Sequence, residues 1–173
     1  MGKLVACALL LAACGGAARE TSSVVGRSDR LPVEWTVFDG EGVPVRLERM
    51  RGRVLLVWVF ATYDAASIAM VDPLNRLVER RGDQVGVIGV AAQPNARQLL
   101  PLFGEAMRLR FQVTWDPEGH VLGDASPLGP IDLVPTLVVL DRRGYRLGAH
   151  PGPASDQELG RIVARALRGD APE

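Results

Sequence analysis

Three side chains close together in sequence carry most of the chemistry this chain could perform. They are Tyr63, Asp64 and Ser67, in the run Phe60-Ala61-Thr62-Tyr63-Asp64-Ala65-Ala66-Ser67. A carboxylate three residues before a hydroxyl has two physical readings. One is acid–base or nucleophilic work, in which Asp64 activates Ser67 or moves a proton with Tyr63. The other is architecture: Asp is a preferred helix N-cap, and its charge suits the positive end of the helix dipole. Capping lowers a carboxyl pKa, whereas a general acid needs it raised; the sequence favours the cap. A Ser-His-Asp arrangement would have to recruit His120 or His150. Both lie beside Gly and Pro, which predicts exposed loops rather than a triad. Two histidines without clustered cysteines or carboxylates predict no metal site, and nothing in the chain calls for a cofactor.

Sulfur chemistry is confined to one end. The two cysteines, Cys7 and Cys14, both precede residue 15. Lys3 followed by the apolar run Leu4 to Ala13 has the profile of an export signal and is too short to span a bilayer. Leu11-Ala12-Ala13-Cys14 resembles the lipobox of bacterial lipoproteins, which implies cleavage before Cys14 and acylation of its thiol. Two or more acyl chains suffice for stable anchoring, at about 0.8 kcal/mol per buried CH₂. An ordinary signal peptide cleaved nearby is the alternative. The expected division is a leader over 1–13, a flexible Gly/Ala/Ser-rich tether over 14–30, a folded domain over 31–169 and a short tail over 170–173. In lipoproteins of this kind, the absence of Asp after the lipidated cysteine implies outer-membrane sorting.

With 173 residues, 47% of them hydrophobic, the chain has material for one domain whose core needs no disulfide or metal. The 20 basic residues, Lys3 and otherwise Arg, balance 20 acids and are scattered, which excludes a phosphate-tracking nucleic-acid surface.

The elements that must position Tyr63, Asp64 and Ser67 alternate in an α/β pattern. Glu34–Phe38 and Val43–Leu47 flank Asp39-Gly40-Glu41-Gly42 as a hairpin. Val54–Phe60 is a continuous apolar run, as a strand buried on both faces requires. Met70, Val71, Leu74, Leu77 and Val78 give Ser67–Arg81 a helical face that stops at Gly82, and Gln84–Val90 supplies a second buried strand. Asn95 is placed to cap a helix reaching about Arg108, with Pro101 a kink or break. A second hairpin pairs Leu137–Leu140 with Tyr145–Ala149, and Asp156–Leu167 closes the chain as a helix. Trp58, inside an apolar strand, is expected in the core.

This order of elements, with five local strings, resembles the TlpA-like, membrane-associated thiol-disulfide oxidoreductases of the thioredoxin superfamily. The strings are Phe38-Asp39-Gly40 with Val43–Leu47, Arg51–Val57, Trp115–Gly119, Leu140–Gly144 and Val134-Pro135-Thr136. The resemblance covers about Leu31 to Leu167. It implies a thioredoxin-like α/β fold: a central mixed β-sheet flanked by helices on both faces, with an N-terminal β-hairpin extension. It also implies that Val134-Pro135-Thr136 is the cis-proline loop facing the site.

At that site the chain departs from the family, whose Cys-x-x-Cys opens the first long helix. Matching Phe60–Tyr63 places Asp64 and Ser67 at the thiol positions; counting back from Pro73 places Ala65 and Ile68 there. Neither register contains sulfur, and a residue that cannot form a disulfide cannot exchange one. The copper-chaperone branch of the superfamily would also need two thiols. The expectation is a redox-inactive module that binds an extended protein or peptide segment through Tyr63, Asp64, Val134, Pro135 and Thr136, or assists folding, with its lipid on Cys14 meeting the membrane. Non-thiol chemistry at Asp64 and Ser67, or a purely structural envelope role, are the alternatives.

Overall fold

In the computed structural model, residues 31–171 are described; the expected leader, the whole tether with the Cys14 lipidation site and the last two residues of the tail lie outside them. Seven strands form one mixed sheet: β1 (Thr36–Phe38), β2 (Pro44–Arg46), β3 (Val54–Phe60), β4 (Val85–Ala91), β5 (Gln112–Trp115), β6 (Thr136–Leu140) and β7 (Arg146–Pro151). Their order is β2-β1-β5-β4-β3-β6-β7. The helices are α1 (Ala65–Ala69), α2 (Val71–Arg81), α3 (Ala96–Ala106) and α4 (Asp156–Arg168). The expected N-terminal hairpin is present, and it belongs to the same sheet, joining β5 through Phe38 opposite Trp115.

The central strands are apolar throughout because both faces are covered. Every residue of β3, β4 and β6 is buried. On one face, Leu56, Trp58 and Phe60 meet α2, α3 and α4 through Leu74, Leu100, Phe103, Leu159 and Val163. On the other, Val57 and Val59 meet Leu47, Val121, Leu128 and Ile131 from the connecting segments. Trp58 lies in the first core as expected, stacked on Phe60 with ring centroids 4.0 Å apart. Gly89 makes that stack possible: a Cβ there would stand 2.9 Å from Val113, 3.0 Å from Phe60 and 3.2 Å from Trp58.

One turn design recurs three times. Asp39, Asp116 and Asp141 each begin an Asp-x-x-Gly-x loop in which the carboxylate accepts the N–H groups of the residues two and four further on. The glycine of each loop has positive φ, 91°, 72° and 90° in turn, a conformation that costs a residue with Cβ more than it costs glycine.

Both sheet edges carry proline where a free donor would otherwise face outward. On β2, Asp39 N–H bonds Val43 C=O, so alternation makes Phe38 and Pro44 a pair without mutual bonds and turns the Pro44 nitrogen outward. On β7, Gly152 N–H bonds Pro135 C=O at 2.8 Å, which by the same alternation turns the Pro151 nitrogen outward. Missing N–H groups at these positions blunt edge-to-edge pairing.

The structure corrects several expectations. The helix over Ser67–Arg81 begins earlier and divides at Met70 into α1 and α2, because Pro73 has no N–H for the Ala69 carbonyl and its ring crowds that turn. Pro101 does not break α3, which runs through it. Asn95 precedes α3 but caps nothing through its side chain, its backbone being left-handed at φ 60°. Strand β5 was not expected from sequence, and it places Trp115 at a strand end rather than in a turn.

Candidate functional site

Strand β3 delivers Phe60 to the edge of the core and the chain then turns into α1. Asp64 is the N-cap of α1, in extended backbone conformation. Its Oδ2 accepts both the Ser67 N–H and the Ser67 hydroxyl, each at 2.7 Å. Ser67 Oγ in turn accepts the Ala61 N–H at 3.3 Å. The Ser67 hydroxyl bond, with the backbone bonds from Ser67 and Ala66, holds the Asp64 carboxyl below the usual carboxylate range, against a smaller opposing effect of desolvation.

This arrangement suits architecture better than catalysis. Ser67 is fully buried, so its hydroxyl cannot reach a substrate, and its proton is already committed to Asp64. A carboxyl with lowered pKa is a poor general acid near neutrality. Among the second-register residues, Ala65 is exposed and Ile68 packs against the core. Only Asp64 and Ser67 are joined directly.

The Pro135 loop meets this helix through the sheet. The β3–β6 register puts Val59 opposite Thr136, and continuing it brings Val134 level with Ala61. The Val134–Pro135 peptide bond is cis. Thr136 is buried and its hydroxyl donates back to Leu133 C=O at 2.8 Å, so its side chain is turned inward. Pro135 C=O is taken by Gly152 N–H. The Val134 backbone makes no hydrogen bond among the described residues. Tyr63 is 74% exposed and Leu133, next to Val134, 47% exposed.

Sequence reading missed the tie that holds the loop before α1. Gln93 Oε1 accepts the Thr62 N–H and Gln93 Nε2 donates to Thr62 Oγ1 at 2.9 Å. These residues follow β3 and β4, so the bonds clamp together the carboxyl ends of two parallel strands. Beyond Gln93 opens a cavity of about 620 Å³, walled by α3's first turn, Trp115, Pro117, Val121 and Leu122. Trp115 lines it with its indole N–H fixed on Asp39 C=O at 3.1 Å. Trp58 is wholly buried, so no aromatic surface joins it to Tyr63.

Neither histidine approaches Asp64 in a hydrogen-bonded arrangement. His120 is exposed, with Nδ1 3.2 Å from Glu118. His150 is not in a loop as expected: it is half-buried in β7 and faces α4. Among the described residues no group of three His, Cys, Asp or Glu could hold a metal, and no helix is long and apolar enough to cross a membrane.

Solved structures share this fold. A putative thiol:disulfide interchange protein DsbE from Chlorobium tepidum matches with TM-score 0.65 and 20% identity, over 79% of this chain and 95% of its own. A secreted Mycobacterium tuberculosis disulfide oxidoreductase homologous to E. coli DsbE matches at 0.64 and 17%, over 76% and 96%. The exposed lipoprotein thioredoxin Etrx1 of Streptococcus pneumoniae matches at 0.63 and 18%, over 76% and 98%. The fold is thioredoxin-like. Neither a family model nor a curated protein matches the chain. The thioredoxin-like domain spans residues that contain no cysteine, since both thiols of the chain precede residue 15.

Proposed function

We propose that this chain is a redox-inactive thioredoxin-like lipoprotein of the cell envelope, anchored through Cys14, that binds an extended protein or peptide segment or assists its folding. The observation that carries the reading is the pairing of Asp64 with Ser67 at the start of α1. These positions hold a carboxylate and a buried hydroxyl that donates its proton to it. The groups left to meet a partner are the Val134 backbone and the exposed side chains of Tyr63 and Leu133. An extended segment pairing with Val134 would gain main-chain bonds there and apolar contact on either side. The proline-guarded edges at β2 and β7 favour this loop over strand addition at the sheet margins.

The lipoprotein leader is supported by the Leu11–Cys14 string, and an outer-membrane address by the lack of Asp after Cys14. Disulfide transfer needs a thiol couple, and residues 31–173 have none. The test has two arms. Dithiol-dependent reduction of a model disulfide by the purified chain is expected not to exceed the buffer rate, and turnover above it overturns redox inactivity. A photo-crosslinker placed at Leu133 is expected to capture extended polypeptide in intact cells, with loss of capture when Tyr63 is replaced by Ala. Equal capture from an exposed position remote from the site, such as Glu41, points instead to a structural envelope component.

A further inference from the structure

The groove between β7 and α4 is used by nothing described so far. The register sets His150 opposite Leu137, and Leu137 belongs to the core cluster that contains Leu159, Ile162, Val163 and Ala166 of α4. His150 therefore projects on the helix-bearing face of the sheet. Gly148, opposite Val139 of the same cluster, shares that face and has no side chain, which leaves room beside the helix. The resulting groove, about 400 Å³, is lined by His150, Glu158, Arg161, Ile162, Arg165 and Arg168, with Ala164 at its side.

Its lining is rich in arginine. Arg161, Arg165 and Arg168 succeed one another at spacings of four and three, so their stems rise from one flank of α4 about 5–6 Å apart. The single lining carboxylate, Glu158, is held by the capping box of α4, its Oε2 accepting the Ser155 N–H at 2.8 Å and the Ser155 hydroxyl at 2.6 Å, and it also lies near enough to His150 and Arg161 to interact with their charge; three arginines against this one lining carboxylate leave the groove net positive. Arg168 donates Nε to Asp170 at 3.0 Å, which sets a carboxylate beside this rim residue. Guanidinium forks match the oxygens of a tetrahedral anion bidentately, and Ile162 supplies an apolar floor for an organic substituent.

We infer that this groove is a binding site for a phosphate group, seated against Arg161 and His150 with Arg168 at the rim. The chemistry is shared by a soluble phosphate ester and a phospholipid headgroup. The full chain carrying C14S, so that no acyl group contributes, is titrated with inorganic phosphate and with glycerol 3-phosphate at constant ionic strength, and is sedimented with vesicles of phosphatidylglycerol in phosphatidylcholine. Saturable shifts of the His150 imidazole and Arg161 signals are expected, with Arg161→Gln weakening binding about tenfold or more at unchanged melting temperature. Arg142→Gln, on an exposed turn, is the control and is expected to change nothing. Vesicle co-sedimentation lost in R161Q assigns the site to a headgroup; saturable phosphate binding without co-sedimentation assigns it to a soluble ester. A flat titration with no vesicle binding, or shifts that chloride reproduces and R161Q leaves as in R142Q, overturns the site.

Discussion

Replacing Asp64 by Ala removes two interactions that can be separated by experiment. The first is the N-cap bond to the Ser67 N–H, typically about 1 kcal/mol when an Asp cap becomes Ala. The second is the acceptor of the Ser67 hydroxyl. That hydroxyl is fully buried, so D64A strands a donor away from water, at a further cost of about 1 kcal/mol or somewhat more. The expected total is about 2 kcal/mol, or roughly 6–8 °C in melting temperature for a domain of this size. Ser67→Ala costs about 1 kcal/mol, since it removes the hydroxyl bond and leaves the Ala61 N–H without its acceptor. In the double variant no stranded hydroxyl exists, so its cost is about 2 kcal/mol, below the combined effect of the two singles by about 1 kcal/mol. Urea unfolding followed by circular dichroism measures all four proteins, with an unchanged slope as the check on two-state behaviour. Additive singles, or a D64A cost below about 0.5 kcal/mol, would refute the claim that Asp64 and Ser67 form one hydrogen-bonded unit.

The same carboxylate gives a pH dependence. The Asp64 pKa is depressed in the folded state below its ordinary 3.8, so its stabilisation is fully present above that value and is lost as pH falls through the folded-state pKa. The stability gap between the wild type and D64N is expected to close in that acid range, and a gap independent of pH contradicts the assignment. Gly89→Ala would drive a methyl between Val113, Phe60 and Trp58, with an expected loss of about 1–3 kcal/mol by urea unfolding; a neutral substitution would mean that the aromatic stack yields easily. Pro44→Thr with Pro151→Thr restores an outward donor at each sheet edge, and concentration-dependent association by sedimentation is the expected result; a variant that stays as monodisperse as the parent removes edge protection as their role. Asp64→Cys combined with Ser67→Cys is expected to form a disulfide that dithiothreitol reduces, seen as two thiols appearing in a free-thiol assay, whereas a pair that never closes argues against matching Asp64 and Ser67 to the thiol positions of a Cys-x-x-Cys site.

What could be read from the residues follows the range of the forces involved. Strand β3 was legible because burial of both faces leaves its own record, seven apolar residues in a row. Helix α4 was legible because its apolar positions Leu159, Ile162, Val163 and Ala166 lie within a few residues of one another. The Asp64 cap was legible for the same reason, its partner being three residues away. Strand β5 was not, because Gln112–Trp115 has only one fully buried residue, Thr114, and exists as a strand through its pairing with β4 and β1. Gln93 was missed because its bonds to Thr62 cross 31 positions. His150 was misplaced since Pro151-Gly152-Pro153 locally indicates a loop, while pairing with β6 carries the strand through to Pro151.

The start of α1 shows how a structural demand takes up the polar side chains placed there. Whatever residues stand there, the first turn leaves backbone N–H groups that need an acceptor, and a side chain at the cap position must supply one or leave the demand to water. Asp64 meets it, and in doing so also takes up the hydroxyl of Ser67, which is too deeply buried to be satisfied by solvent. The pair thus answers a structural requirement and leaves the Ser67 hydroxyl no proton to offer a substrate. Unspent capacity lies one strand away, in the Val134 backbone between Leu133 and Pro135. Because Thr136 and the Pro135 carbonyl are anchored to β3 and to Gly152, that segment is held in place without being used up. The binding role proposed above would draw on this held, unsatisfied backbone and on the exposed Tyr63 and Leu133 beside it.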